Sequence, residues 1–367
     1  MKQYFILKSG FDFYDLCRAY GLGLILNRLK NSKEEVKVKD LGFYYQIESP
    51  PINLKKKKEV IGLIPNEISK LSKTNIGPRW DQVLRTCKIP GDSTKKKKLK
   101  EYKEILNKNI NRILERHTNI QSFEKKNLNT KKDVLETLYG TIDPACFKGF
   151  REIKRNLKYD EGSSYKSNCE EIVLALIGAA YLGIWVLGKE GGIAIFGKPG
   201  VKGVFVNSLI NIKKNISDQI KFHRGGVSPT IVWTSLCLMA EIEKFKDELL
   251  FPLFEELYFN VLKWTGNQPK PEKGGKFSLD FLNKLLKEMT RTDFLDLMDI
   301  WKKLLKISNN AGLEQLGRTL SEFLANPTIT NFEHYIKTHL HFNLNKKVGI
   351  VYNQNLMKEI SKYVSAT

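Results

Sequence analysis

The order of apolar and polar positions at the N-terminus predicts a strand followed by a helix. QYFILKS (residues 3–9) is typical of a strand, and FDFYDLCRAYGLGLILNRLK (residues 11–30) has helical spacing. We expect Asp12 to be the N-cap of this helix, and Asp15 to add favourable negative charge to its first turn. Gly21 and Gly23 each cost about 1 kcal/mol relative to alanine in a helix. Close approach of another backbone would explain them.

Further elements follow in the first 225 residues. KVKDLGFYYQIESP (37–50) predicts a strand that runs into a turn at Pro50, and 99–117 predicts an amphipathic helix. Residues 172–188 form the most apolar run. Because this run contains glycines and directly follows Glu170 and Glu171, we expect a buried core helix rather than a membrane span.

The segment GGIAIFGKPGVKGVFVN (191–207) predicts two short strands joined by a turn at Lys198-Pro199-Gly200, with lysines near its tip. A plain hairpin and a hairpin that contacts nucleic acid are both open. The segment is not a Walker loop. That loop requires Lys and then Ser or Thr directly after its final glycine, but here Gly203 is followed by Val204.

From about residue 228 the pattern becomes helical. Ser228 and Pro229 suit a helix start, and 228–264 and the segments that follow have helical periodicity, with Val348–Tyr352 as a possible strand. The linker KFHRGGVSP (221–229) marks a plausible boundary. We therefore predict an α+β protein, with a mixed α/β N-terminal domain over 1–225 and an all-helical C-terminal bundle over 228–367.

Charge is the strongest compositional signal. The 367 residues include 61 Lys and Arg against 40 Asp and Glu, a net charge of +21. Residues 51–150 alone hold 23 basic and 11 acidic side chains, whereas 201–300 hold 14 and 13. Such an excess is typical of a polyanionic partner, with nucleic acid as the first candidate and a lysine-rich coding bias as the alternative source.

Candidate catalytic chemistry is sparse. The five cysteines have no CxxC spacing, which argues for reduced thiols in a cytoplasm and against a zinc site. His334 and His339 are five residues apart and do not share a helix face, so a metal site there is not expected. No nucleophile or paired-carboxylate motif is found. We expect a non-catalytic protein with no cofactor and no metal.

Binding is the remaining chemistry, and basic side chains beside turns are its candidates, because they neutralise phosphates whatever the base sequence. A solvated loop is the alternative for any single lysine. The predicted nucleic-acid-binding residues are Lys55, Lys56, Lys57, Lys58, Arg79, Arg85, Lys95, Lys96, Lys97, Lys98, Lys198, Lys202, Lys221, His223 and Arg224.

GFDFYDLCRAYGLGLIL (10–26), followed by a basic α/β region and a helical C-terminus, resembles the short large subunits of type I CRISPR effector complexes (Cascade). The resemblance is architectural over most of the chain and motif-like only at these residues. It implies a subunit that recognises the PAM-containing duplex and holds the displaced single strand, while the guide reads the sequence.

The resemblance also implies crRNA-bearing backbone subunits and small subunits as protein partners. The helical C-terminal part would resemble the small subunit, and an internal start near Met239 could produce it separately. The family's PAM-reading loops match too poorly for any residue to be transferred. Two alternatives remain open, a nuclease with an unrecognised catalytic site and a membrane-associated protein anchored by residues 172–188.

Overall fold

The computed structural model describes residues 1–63, 95–120, 139–141, 166–187, 191–245, 252–265, 268–345 and 353–364. The structure contains two four-stranded antiparallel sheets and helices from both halves of the chain. The α+β class predicted from the sequence is confirmed.

The first sheet contains the N-terminal strands. Its order is β1-β3-β2-β8, formed by β1 (Lys2–Leu7), β2 (Lys37–Asp40), β3 (Tyr44–Ser49) and β8 (Val204–Phe205). Helix α1 (Asp12–Leu29) lies between β1 and β2 in the chain and contacts all three N-terminal strands. Buried Ile6, Val38 and Ile47 point to the same face of the sheet and build its core side. The predicted strand and helix at the N-terminus are thus confirmed.

The second sheet has the order β10-β9-β7-β6 and combines strands from both sides of residue 228. They are β6 (Ile184–Leu187), β7 (Gly191–Pro199), β9 (Phe254–Thr265) and β10 (Gln268–Ser278). The helix predicted over 228–264 is therefore wrong in its second half. Phe254, Leu257, Tyr258, Val261 and Leu262 do have helical spacing, but all are buried because β9 is packed on both faces.

The predicted hairpin at 191–207 is also wrong. β7 pairs with β6 and β9, whereas β8 pairs with β2, so the two strands belong to different sheets. The turn between them crosses from one sheet to the other, and the Asp40 N–H donates to the Gly200 carbonyl at 3.4 Å. This crossing places the ends of β2 and β7 side by side.

Two glycine contacts fix how α1 packs against α4 (Cys169–Leu182). A Cβ added at Gly21 would lie 1.9 Å from the Leu174 carbonyl oxygen, and one at Gly178 would lie 1.9 Å from that of Cys17. The two backbones therefore touch, which explains glycine at both positions. This is the close approach expected for Gly21. The core helix expected over 172–188 is confirmed as far as Leu182, but Ile184–Leu187 form β6 instead.

Six further elements complete the described N-terminal part. A short 3-10 helix (Leu54–Lys56) continues into α2 (Lys57–Ile61), which contacts α3 (Lys95–Arg116); Leu106, Ile110 and Ile113 form the buried stripe predicted for α3. β4 (Tyr139–Thr141) and β5 (Lys166–Asn168) pair with each other, and α5 (Val206–Ile216) follows β8. Across the described ranges, none of the helices has the length and apolar character needed to cross a membrane.

The C-terminal part adds six helices to the described chain. They are α6 (Val227–Lys244), α7 (Asp280–Glu288), α8 (Arg291–Ile307), α9 (Glu314–Ala325), α10 (Ile329–Leu344) and α11 (Gln354–Ser361). Side chains of Thr290, Thr328 and Asn353 cap α8, α10 and α11. The suggested strand at Val348–Tyr352 lies outside the described residues.

Helix α6 is central to this part, since it packs against both α8 and α9. Met239 is buried in its interior. A product that began at Met239 would lack the buried residues Ile231, Val232 and Leu236 of the same helix. The internal start near Met239 stays a prediction.

Candidate nucleic-acid interface

The first lysine run lies against the end of α1. Lys55 and Lys56 belong to the 3-10 helix and Lys57 and Lys58 begin α2, so the run is helical rather than a loop. The Asn53 N–H donates to the Leu29 carbonyl at 2.8 Å, and the Lys56 amine donates to the Lys30 carbonyl at 2.9 Å. These bonds hold the run beside the last residues of α1.

We call the side chains of Lys30, Lys33, Lys55, Lys57 and Lys58 the α1–α2 basic surface. Lys33, Lys55 and Lys58 are exposed, and Lys30 and Lys57 are half-buried. Within the described ranges no ion pair joins any of the five to a carboxylate. Their positive charge is therefore available to a polyanion.

Lys198 is placed differently. Its amine lies 3.2 Å from Glu256, 3.6 Å from Glu255 and 3.9 Å from Asp40, where β7 ends. Partial burial lowers the pKa of Lys198, but Glu256, Asp40 and Glu255 outweigh burial and raise it. Three carboxylates thus neutralise Lys198, and the proposed interface does not include it. Lys202 is exposed in the following turn, one residue before Gly203, whose φ of 84° favours glycine.

The connection between α5 and α6 carries three more of the predicted residues. Lys221 and Arg224 are exposed, and the Arg224 N–H donates to Asn309 Oδ1 at 2.9 Å, which joins this connection to the end of α8. No carboxylate pairs with either side chain in the described part of the chain. They form a second exposed basic site.

Within this group, the nucleic-acid contact predicted for His223 is wrong. Its ring is 4% exposed, Nε2–H donates to the Leu305 carbonyl, and Nδ1 accepts from the Gly225 N–H at 3.0 Å. Burial lowers the pKa of His223, although the bond to Leu305 opposes that effect. A buried, neutral ring with both nitrogens used cannot reach a phosphate, so His223 serves the fold.

The remaining predicted residues lie in or beside the basic window 51–150. Lys95, Lys96, Lys97 and Lys98 form the first turn of α3, where a loop was expected. Because α2 contacts α3, the two lysine runs lie on neighbouring elements. Arg79 and Arg85 lie outside the described residues.

A buried ionic cluster joins α1, α3 and α4, and the sequence analysis missed it. Asp15 accepts from the N–H groups of Ser9 and Gly10, at 2.7 and 3.1 Å, and from Arg18 at 2.6 Å. The N-cap position itself is Phe11, so the N-cap role predicted for Asp12 is wrong. Asp15 instead ties the chain before α1 to the helix.

Glu171 is the centre of this cluster. Arg18 donates to it at 2.8 Å, and Nε2 of His117 lies 3.0 Å from its carboxylate. Burial raises the pKa of Glu171, but His117, Arg18 and Arg116 together hold it well below its usual range. The carboxylate is therefore charged inside the protein and links three helices.

Glu170 extends the cluster along α3. Arg112 pairs with Glu170, and Arg116 lies 3.0 Å from the same carboxylate. His117 also donates Nδ1–H to the Phe5 carbonyl at 2.9 Å, which joins the end of α3 to β1. The only sequence signal was the placement of acids directly before the apolar run at 172.

Among the residues that the structure describes, no group of three or more His, Cys, Asp or Glu side chains is placed to hold a metal ion.

Comparison with known proteins gives one relationship. The chain matches no protein-family model. It is 30% identical to an uncharacterized protein of Archaeoglobus fulgidus over 375 aligned residues, which cover 99% of this chain and 99% of that protein. The chain belongs to the family of that archaeal protein. The aligned residues include both sheets and the C-terminal helices.

Proposed function

We propose that the chain is a non-catalytic, cytoplasmic subunit of a crRNA-guided DNA surveillance complex. In this proposal it recognises the PAM-containing duplex and stabilises the displaced non-target strand. Guide pairing reads the target sequence in such complexes, while protein side chains contact the PAM and the DNA backbone. The protein partners are the crRNA-bearing backbone subunits and the small subunits.

The observation that carries the proposal is the α1–α2 basic surface. Lysines without carboxylate partners bind DNA phosphates with release of counterions, and they need no particular base sequence. Lys221 and Arg224 add a second exposed basic site. The resemblance at residues 10–26 supplies the rest of the proposal, since charge alone indicates only a polyanion.

Lysines that pair within their own helix support a different use for the C-terminal helices. Lys303 and Lys337 pair with Asp299 and Glu333 one turn away on the same helix. Charges arranged in this way cancel locally and give little field for steering DNA. We assign protein contacts, rather than DNA contacts, to the faces of these helices.

Purification from the native host tests the proposal. The tagged full-length chain is isolated under mild conditions, its RNA is sequenced and its protein partners are identified by mass spectrometry. We expect repeat-derived guide RNA and several copies of a backbone subunit. A chain that carries no repeat-derived RNA contradicts the proposal, and metal-dependent cleavage of DNA by the isolated chain would favour a nuclease instead.

A further inference from the structure

The first sheet has a second face whose composition is unusual for a solvated surface. The pairing register places nine side chains on this outer face: Gln3, Phe5, Leu7, Lys37, Lys39, Tyr44, Gln46, Glu48 and Phe205. The opposite face is buried core. Gln3 is exposed, Gln46 is buried, and the other seven are half-buried. An antiparallel sheet with one core face usually turns polar residues outward. This sheet turns three aromatic rings outward instead.

The aromatic rings lie on adjacent strands. Phe5 on β1 and Tyr44 on β3 meet edge to face, with ring centroids 5.5 Å apart. Phe43, directly before Tyr44 in the β2–β3 turn, is 85% exposed. A ring this exposed has no role in the core.

The positive charges on the outer face outnumber the negative ones. Lys37 and Lys39 are two residues apart on the same side of β2, and Glu48 is the one carboxylate among the nine side chains. Lys39 pairs with Glu48. The Lys37 amine lies 6.0 Å from the centre of the Phe205 ring and has no carboxylate partner in the described part of the chain. Partial burial and then the neighbouring Lys39 lower the pKa of Lys37, while Glu48 opposes them. An anion beside Lys37 would complete the charge balance.

Aromatic rings and unpaired cations together are the surface chemistry that holds single-stranded nucleic acid. Four-stranded sheets bind single strands by stacking bases on aromatic side chains of the open face, while basic residues contact the backbone. Duplex bases are already stacked on each other and cannot use such rings. An apolar protein surface placed here would leave Lys37 desolvated and without a partner, which is costly.

We propose that the outer face of the first sheet binds single-stranded DNA, with bases stacked on Phe5 and Tyr44 and a phosphate at Lys37. The proposal deepens the proposed function and rests on it for the source of the DNA, the displaced strand. The basic surfaces described above attract DNA without distinguishing single strands from duplex. The outer face makes that distinction.

Fluorescence anisotropy of a labelled oligothymidylate with the full-length chain tests this binding site. Tyr44→Leu and Phe5→Leu remove the aromatic ring but keep an apolar side chain. We expect each to weaken binding by about 5- to 150-fold, the effect of losing one stacked base. The dependence of log K on log salt keeps its slope, because no charge is removed. Tyr363→Leu, at a half-exposed tyrosine after α11, is the control and should bind as the wild type does.

Two measurements do not depend on the ring variants folding. Lys37→Gln should reduce the slope of log K against log salt by about 0.7, the value for one phosphate contact of a single strand. An abasic strand of the same length and charge should bind the wild-type chain more weakly than oligothymidylate, because it offers no base to stack. Equal binding of the abasic strand, or unchanged binding by a folded Tyr44→Leu, overturns the proposal.

An RNA strand of the same sequence provides the remaining outcome. Tighter binding of RNA than of DNA overturns the assignment to DNA. Failure here is distinguishable from failure of the proposed function. If the chain carries guide RNA in the native host but binds strands without regard to bases, the proposed function holds and the proposed binding site is wrong. If the chain carries no guide RNA but still binds single strands through Tyr44, the binding site holds and the proposed function is wrong.

Discussion

At the scale of single residues, two predicted functional side chains are bound by the protein's own groups, His223 in the interior and Lys198 in a partly buried ion-pair cluster. His223 holds the α5–α6 connection against the end of α8, and Lys198 holds the end of β7 against acidic side chains of β2 and β9. Both look like surface residues in the sequence, because they sit beside glycines and prolines. Neighbouring turn residues indicate a loop, but they do not show whether a side chain points into solvent or packs against the protein.

The neutral state of His223 gives a pH prediction. Because its pKa in the folded protein lies below the ordinary value of 6.5, the unfolded state binds more protons as the pH falls. The stabilisation by the neutral ring is complete above about pH 6.5 and is lost as the pH falls from there through the folded-state pKa. His223→Gln offers an acceptor and a donor that do not titrate.

We therefore expect the free energy of unfolding to fall less between pH 7 and pH 5 in His223→Gln than in the wild type. Urea denaturation at each pH measures it, and the comparison of slopes holds even if the variant is less stable throughout. His341→Gln, at an exposed histidine of α10, is the control. Equal slopes for His223→Gln and the wild type would show that His223 is not held neutral.

At the scale of elements, the buried ionic cluster determines where α3 lies. The helix is attached near its C-terminal end, through Arg112, Arg116 and His117, to the first turn of α4 and to β1. The lysine run is at its opposite end. The cluster thus orients a helix that carries part of the basic charge, without itself contacting a ligand.

Glu171→Gln tests this arrangement. The variant removes the charge that pairs with Arg18 and lies beside His117, and it leaves the buried Arg18 with Asp15 as its remaining carboxylate partner. Breaking a buried pair in this way costs about 3–5 kcal/mol. We expect a loss of that order in the free energy of unfolding, together with faster amide hydrogen exchange in α3. Glu115→Gln, at an exposed acid of the same helix, should change neither quantity measurably.

Several elements could be predicted from the sequence and some could not, for physical reasons. β1, α1 and α4 have long or strongly periodic patterns that survive tertiary packing. β9 was predicted as a helix because its apolar residues, which are buried on both faces of the strand, also follow helical spacing. β7 and β8 looked like a hairpin because a glycine-rich turn joins them, and only the other strands decide which partner each takes.

The candidate site divides in the same way. The lysine runs and Lys221 and Arg224 were visible as unbalanced charge in the sequence. The outer face of the first sheet was not, because its nine residues come from four strands and meet only through the pairing register. Its one local signal is that β1 is apolar at Phe5 and Leu7 as well as at the core positions between them.

At the scale of the whole molecule, charge is separated by region. The α1–α2 basic surface lacks carboxylate partners, whereas Lys287, Lys303 and Lys337 of the C-terminal helices each pair with an acid of their own helix. A comparison of charge removal at the two places therefore tests whether position, rather than total charge, decides DNA binding.

The combined variant Lys55→Gln, Lys57→Gln and Lys58→Gln should weaken binding of a DNA duplex and reduce the slope of log K against log salt by up to about 2.7, the value for three phosphate contacts. The matched control replaces Lys287, Lys303 and Lys337 by Gln, which removes the same net charge from paired positions. Anisotropy titrations over a range of salt measure both. Equal losses in the two variants would contradict an interface at the α1–α2 basic surface.

The contact between Gly21 and Leu174 has a consequence for synthesis of the protein. Helix α1 leaves the ribosome before α4, because the backbone against which it packs is encoded about 150 residues later. Until α4 emerges, the apolar side chains of α1 have no partner on that side, and the growing chain must keep them from other nascent chains. Slow translation of the intervening basic region would lengthen that interval, and a chaperone that binds early apolar helices would protect it.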